Sequence, residues 1–194
     1  ERTARHGHMG EAVPVRRPEE QDGAVAPVLT GAGLVLRPWR SDDLVVMTEL
    51  FDDPEVDRWT PLEHPFDRSA AARYLARAWA AGQDGDGLQL AITTDGVTPL
   101  GEVLLFDRHG DGAEIGYAVG AAHRGQGLAP RSVGLVVEHA VRTWRLRRFR
   151  LRIEPENAAS RKVAAGCGFR LTNRPPEVRD VKGRRIHLDQ WELV

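Results

Sequence analysis

Cysteine is all but missing. The chain has one, Cys167, in 194 residues, so it can close no intrachain disulfide and build no multi-cysteine zinc site. No apolar run approaches the roughly 20 residues that a bilayer-spanning helix needs. The opening ERTARHGHMGEAVPVRRPEEQDG has no apolar core of the kind a secretory signal carries. Charge of one sign is not in excess either: 27 Lys plus Arg stand against 28 Asp plus Glu. Neutralising a nucleic-acid backbone takes positive excess, so a nucleic-acid binder is not expected. Lysine is limited to Lys162 and Lys182 while Arg and Ala abound, a skew that fits a GC-rich bacterial genome. A chain of this length that is 41% apolar can bury a sizeable core. The expectation is a domain of a reducing, cytoplasmic compartment that does not engage a membrane.

Residues 1–27 are polar, contain Pro14, Pro18 and Pro27, and show no apolar period. Such a segment cannot bury enough surface to offset its ordering entropy, which predicts a disordered tail. His8-Met9 resembles a cloning-site remnant, so part of the tail is open to being non-native. Residues 28–194 are expected to form one domain. Leu34 and Leu36 alternate with Val35 and Arg37 up to Pro38, a short strand. Ser41 is expected to cap a helix through Leu50, with Asp42 and Asp43 in its first turn. Trp59 to Pro65 reads as a loop, and 68–81 as a second helix. After a turn at 83–87 come strands at 88–93, 100–106 and 113–119, separated by hairpin-type turns DGVTP and DRHGDG. Val133, Val136, Val137, Ala140, Val141 and Trp144 form one helical stripe. A strand at 148–153, a helix at 157–166 and a strand at 187–194 complete the order β-α-α-β-β-β-α-β-α-β. The fold class is therefore α/β, with a mixed, mostly antiparallel central sheet of about six or seven strands flanked by about four helices.

The segment between the 113–119 strand and the long helix is His123-Arg124-Gly125-Gln126-Gly127-Leu128-Ala129. Glycines let a ligand approach the backbone, and a helix N-terminus offers unpaired N–H groups and partial positive charge. Arg124 adds a formal charge. The segment reads equally as an anion site or as a plain glycine turn. A dinucleotide fingerprint fits poorly, because its third small residue would be Pro130.

The same residues resemble the Q/R-x-x-G-x-G/A loop of the GNAT superfamily of acyl-CoA-dependent N-acetyltransferases. Leu29-Thr30 with Leu34-Val35-Leu36-Arg37-Pro38 and Asp43 is similar to the opening of its ribosomal-protein N-terminal (RimJ/RimL-like) branch. Ala113-Glu114-Ile115-Gly116-Tyr117 and Glu156-Asn157-Ala158-Ala159-Ser160 with Gly168-Phe169 resemble that branch's later motifs. The likeness covers residues 29–194. It implies acetyl-CoA as the acyl donor, with no metal. The N–H groups of Gly125, Gln126, Gly127, Leu128 and Ala129, beside Arg124, would bind its pyrophosphate. The strand near Tyr117, Ala118 and Val119 would pair with the pantetheine arm, and Asn157 would hydrogen-bond the cofactor.

Acetyl transfer to an amine needs the ammonium proton removed and the leaving sulfur protonated. By the resemblance Glu114 is the leading base, or else a solvated carboxylate paired across the sheet; Glu102 is second, with His64 and His123 behind. Family members commonly carry a tyrosine acid where this chain has Ala164. Ser160 matches the serine of the ribosomal-protein branch, with Tyr117 in reserve. Cys167 sits at a helix C-terminus, where the dipole raises a thiol pKa, so direct transfer in a ternary complex is expected over an acyl-cysteine. Trp59, Pro61, His64, Pro65 and Phe66 would line the acceptor site. Asp52, Asp53, Glu55, Asp57 and Glu63 could draw in a cation or be a solvated loop. The acceptor is a protein N-terminus or a small amine, including an aminoglycoside or another antibiotic or amino acid. A non-catalytic acyl-CoA-binding module is the remaining alternative. Homodimers occur in the resembling branch, but no interface is legible here. Arg148, Arg150 and Arg152 form one strand face that is either solvated, dimer-facing or in contact with RNA or the cofactor's 3′-phosphate.

Overall fold

A computed structural model describes residues 26–84 and 87–194. In chain order the elements are β1 (Leu29–Gly31), β2 (Leu34–Pro38), a 3-10 turn (Ser41–Asp43), α1 (Leu44–Phe51), α2 (Pro54–Trp59), α3 (Arg68–Asp84), β3 (Leu88–Thr93), β4 (Gly101–His109) and β5 (Gly112–Val119). A second 3-10 turn (Ala121–His123) precedes α4 (Leu128–Trp144), β6 (Arg148–Ile153), α5 (Ala158–Gly166), β7 (Arg170–Leu171), β8 (Glu177–Val181) and β9 (Arg184–Leu193). The sheet runs β1-β2-β3-β4-β5-β6-β9-β7, with β8 on β9. Every pairing is antiparallel except β5 with β6. The mixed, mostly antiparallel sheet expected from the sequence is therefore present, with nine strands and five α-helices among the described residues.

The additional elements are those with weak patterns. β1, β7 and β8 are two to five residues long, and β8 carries no buried residue. α2 has six residues, too few to show a helical period. The tail expected at 1–27 lies outside the described residues up to position 25, as does part of the turn at 83–87; Ala26 packs against the core.

Each face of the sheet carries its own core. Leu36, Leu90, Val103 and Ile115 face α4 and α5. Trp39, Met47, Phe51, Phe66 and Leu75 gather under α1 and α3 on the other face. The α4 stripe is narrower than its sequence pattern: Val133, Val136 and Ala140 are fully buried, but Val141 is 45% exposed. Ser41 does not cap a helix. The 3-10 turn precedes α1, and Asp43 closes it by accepting the Arg40 N–H at 2.8 Å. Asp43 also receives the buried Arg37 guanidinium in two bonds of 2.7 and 2.9 Å.

One irregularity makes the site. β5 and β6 pair at Gly112–Arg148, Ala113–Phe149 and Glu114–Arg150, and pairing stops there. Both strands continue, to Val119 and Ile153. Their facing N–H and C=O groups beyond the last rung are left without sheet partners, and so are open to a ligand's hydrogen bonds.

Candidate active site

The fork between β5 and β6 opens into a cleft of about 660 Å³. One wall is the loop leading into α4. Gly125 and Gly127 hold φ of 76° and 69°, left-handed values that favour glycine. Arg131, one turn into α4, reaches back over this loop. Its guanidinium donates to the carbonyls of Gly127 at 3.1 Å, Gln126 at 3.0 Å and Ala32 at 2.8 Å. In a planar trans peptide the N–H opposes the C=O. Holding the 126 and 127 carbonyls on the Arg131 side therefore turns the Gly127 and Leu128 N–H groups the other way, into the cleft that both residues line. Those N–H groups belong to the first turn of α4, which has no internal acceptor for them, and the helix dipole adds positive potential. Pro130 falls in that turn, where its missing N–H is harmless. An arrangement of this kind can cradle an anion. Gln126 is exposed and lines no part of the cleft. The clamp by Arg131 was not read from the sequence, because a lone arginine on a helix carries no signal of its target.

Arg124 lines the cleft but is committed. Its Nε donates to Val119 O at 3.2 Å and its Nη2 lies 2.5 Å from Asp53 Oδ1. Asp53 is also the cap of α2, accepting the Glu55 and Val56 N–H groups at 3.1 Å each. Partial burial alone would raise the Asp53 carboxyl; the Arg124 guanidinium and the two N–H groups outweigh it and hold it below its ordinary value. Lys162 is the other strong cation on the cleft wall.

The opposite wall is one face of α5 with the end of β5. Tyr117, Ala118, Val119, Asn157 and Ser160 all line it. Asn157 Oδ1 caps α5 by accepting the Ser160 N–H at 3.0 Å, which leaves its Nδ2 donors for a ligand. The Tyr117 hydroxyl donates to Ser160 O at 3.3 Å, and burial pushes its phenol up to about 12. Ala164 is fully buried and outside the cleft. Cys167 is outside it too; its Sγ points at Pro130 O, 3.7 Å away, and burial raises its thiol.

The expected bases are placed differently. Glu114 is three residues from Tyr117 on the same strand, hence on the opposite face of the sheet. It sits on the last paired rung of the fork, 5% exposed, with Oε2 3.0 Å from Arg152 Nη1. Burial raises its carboxyl against the pull of Arg152. Glu102 is 2% exposed and accepts from the Tyr74 hydroxyl at 2.6 Å and from Gln89 Nε2 at 3.3 Å. Burial pushes it up to about 7. Neither carboxylate lines the cleft.

Of the five residues expected around the acceptor, Trp59, Pro61, His64, Pro65 and Phe66, only Trp59 lines the cleft. His64 is exposed beside Asp52. Phe66 is a correction: it is 1% exposed and packs edge-on against Phe51 and Tyr74, because an apolar ring this size is drawn into the second core. The cleft wall next to Trp59 is α2, which the sequence pattern marked in part as a loop. Its signal was Asp53-Pro54, a cap followed by proline at the first helical position. Glu55 and Trp59, one turn apart on α2, both face the cleft, and the Trp59 indole N–H donates to Glu55 Oε2 at 2.8 Å. At its other end α2 is tied to the body: Arg58 bonds Glu154 at 3.0 Å, Arg184 joins the same carboxylate at 3.1 Å, and Lys182 bonds Asp57 at 2.6 Å. Most carboxylates around α2 are thus engaged internally. The arginine face of β6 is engaged as well, Arg148 with Asp111, Arg150 with Asp107, and Arg152 with Glu114 and Glu177.

The chain resembles known acetyltransferases along most of its length. It is 26% identical over 164 residues to the uncharacterized N-acetyltransferase p20 of Bacillus licheniformis, covering 83% of this chain and 92% of that one. Mycobacterium smegmatis RimJ, solved in complex with CoA-disulfide, superposes with a TM-score of 0.70 at 25% identity, over 86% of this chain and 85% of that one. The ribosomal-protein-S5-alanine acetyltransferase from Vibrio fischeri gives 0.74 at 16% identity, over 87% and 96%. The fork between β5 and β6 and the glycine loop before α4 lie within residues 33–170, which match the Acetyltransferase (GNAT) domain, and the chain belongs to the GNAT family of acetyltransferases.

Proposed function

We propose that this acetyltransferase transfers the acetyl group of acetyl-CoA directly to the α-amine at the N-terminus of a protein or peptide, in a ternary complex. The donor fits the residues present. The N–H groups of 125–129 supply hydrogen bonds for a pyrophosphate, the unpaired edge of β5 supplies partners for the amides of a pantetheine arm, and Asn157 adds a side-chain donor. When bound, acetyl-CoA supplies an activated acetyl thioester. This chain's residues would then hold the acceptor nitrogen near it, with Ser160 and Tyr117 on the cleft wall beside the thioester. The C–S bond breaks as the C–N bond forms; the amine's proton leaves to water, and the sulfur takes one from the Ser160 side or from water.

The observation that carries the acceptor class is the position of the bases. Glu114, Glu102 and His64 all lie off the cleft, and of the expected bases only His123 lines it, so an acceptor that is already partly neutral is favoured. An α-amine, of pKa about 7.7–8.0, is neutral in about a tenth of molecules at pH 7, against about one in two thousand for an alkyl amine near 10.4. Cys167, off the cleft with its thiol raised, supports transfer without an acyl-enzyme. The test is calorimetric titration with acetyl-CoA, with NADH as control, followed by a free-thiol assay across N-terminal peptides, alkyl diamines and aminoglycosides. Micromolar acetyl-CoA binding and turnover of peptides are expected. Turnover of diamines or aminoglycosides in preference to peptides would overturn the acceptor class, and binding without any turnover would make this a binding module.

A further inference from the structure

The α2 wall holds the single carboxylate among the described residues that line the cleft, Glu55. All the other strong charges there, Arg124 and Lys162, are positive, which suits phosphates. A carboxylate beside a polyanionic donor is unfavourable unless it serves the other ligand. Its orientation is set, because Oε2 takes the Trp59 indole N–H at 2.8 Å, and no protein group bonds Oε1 among the described residues. The helix carrying it is fixed at both ends, by Arg124 on Asp53 and by Arg58 and Arg184 on Glu154. The same helix already holds one ammonium: Lys182 Nζ sits on Asp57, 2.6 Å from Oδ1 and 2.9 Å from its carbonyl.

We propose that Glu55, steadied by Trp59, is the specificity-determining counter-charge that receives the acceptor as an ammonium ion, before its proton leaves to water. This rests on the reading of the protein as an α-amine acetyltransferase. The amine is mostly protonated when it arrives, and a carboxylate against an indole ring offers it one charge-assisted bond and an apolar wall. The contact is made to the ground state, so its loss belongs in KM and leaves kcat nearly untouched.

The experiment is steady-state kinetics of the full chain with acetyl-CoA and an uncharged peptide amide bearing a free N-terminal alanine. Glu55→Gln keeps an oxygen for the Trp59 N–H and the side-chain volume, so it removes charge alone. A rise in peptide KM of about 5-fold is expected, with kcat within 2-fold and acetyl-CoA affinity unchanged. The KM of the unsubstituted chain should rise with salt while that of the variant does not, and Glu55→Asp should restore part of the loss. The N-acetylated peptide, which has no ammonium, should inhibit both proteins equally. An unchanged peptide KM in Glu55→Gln, or an equal loss for the N-acetylated peptide, overturns the inference while leaving the acetyltransferase reading intact. Failure of the unsubstituted chain to acetylate any amine overturns that reading, and the inference with it.

Discussion

Arg124 Nη2 lies 2.5 Å from Asp53 Oδ1, so a residue of the glycine loop is joined to the cap of α2, the helix on the facing side of the same cleft. Asp53 therefore has two tasks, closing the first turn of α2 and anchoring it to the loop. Asp53→Ala should cost about 1 kcal/mol for the cap alone. Arg124 is 38% exposed, and the pair itself should contribute less than about 1 kcal/mol. A double-mutant cycle of Asp53→Asn and Arg124→Gln in urea measures that coupling. Because α2 presents Glu55 and Trp59, Asp53→Ala should also raise the acceptor KM more than it weakens acetyl-CoA.

The cradle can be tested from both of its sources of attraction. Gly127→Val places a β-branched residue at φ 69°, a strained conformation for any L side chain. A built Cβ there meets nothing nearer than Arg131 Nε at 3.8 Å, so crowding is not the issue; backbone strain and a bulky wall at the phosphate site are. Acetyl-CoA affinity should fall by at least about tenfold. Lys162→Gln removes the cation that has no carboxylate on it among the described residues, and should weaken acetyl-CoA by about 3- to 5-fold, with the difference shrinking in 0.5 M salt as screening shortens to a few ångströms. Calorimetry across a salt series reads both, and equal loss at all salts would remove Lys162 from the phosphates.

Ser160 and Glu114 separate cleanly. Ser160→Ala takes a hydroxyl from the cleft wall beside Tyr117 and should lower kcat by about tenfold or more. Glu114→Gln changes a residue on the far face of β5, ion-paired with Arg152, and should alter kcat by only a few-fold. Its effect should fall on stability instead, since Arg152 loses one of its carboxylates. A loss of kcat above about a hundredfold in Glu114→Gln would restore it as the base, working through water in the fork.

Periodicity exposed the long elements and spacing exposed the loop. Apolar runs bounded by turns mark β3 to β5, alternation marks β6, and the 133–140 stripe marks α4, since each packs against a large core. α2 and β8 escaped because six and five residues carry too little pattern and bury almost nothing. At the cleft, the loop and Asn157 were legible as local structure, because glycines and a cap at fixed offsets set the chain's path there. Glu55 was seen only as one of five carboxylates near the acceptor. Four of those five have partners far off in sequence or across the loop, such as Lys182 for Asp57 and Arg124 for Asp53, and no local pattern shows which one is left facing a ligand. Phe66 was misplaced, and Glu114 took the cross-sheet pairing that was its alternative, for the same reason: which side of an element faces the cleft is settled by tertiary packing.

Glu102 makes a prediction about pH. Its carboxyl is pushed up to about 7 by burial, from an ordinary value of 4.5, despite the Tyr74 and Gln89 hydrogen bonds. The folded protein thus holds a proton that the unfolded chain releases near 4.5. The stabilisation this gives is fully present below pH 4.5 and is lost as pH rises through about 7. The shift corresponds to about 3 kcal/mol. Glu102→Gln keeps an acceptor for the Tyr74 hydroxyl and cannot ionise. Urea denaturation at pH 5 and pH 8 should therefore find the variant close to the unsubstituted protein at pH 5 and more stable by up to about 3 kcal/mol at pH 8. A pH-independent difference between the two proteins would mean that Glu102 stays ionised in the fold, held by its hydrogen bonds against the cost of burial.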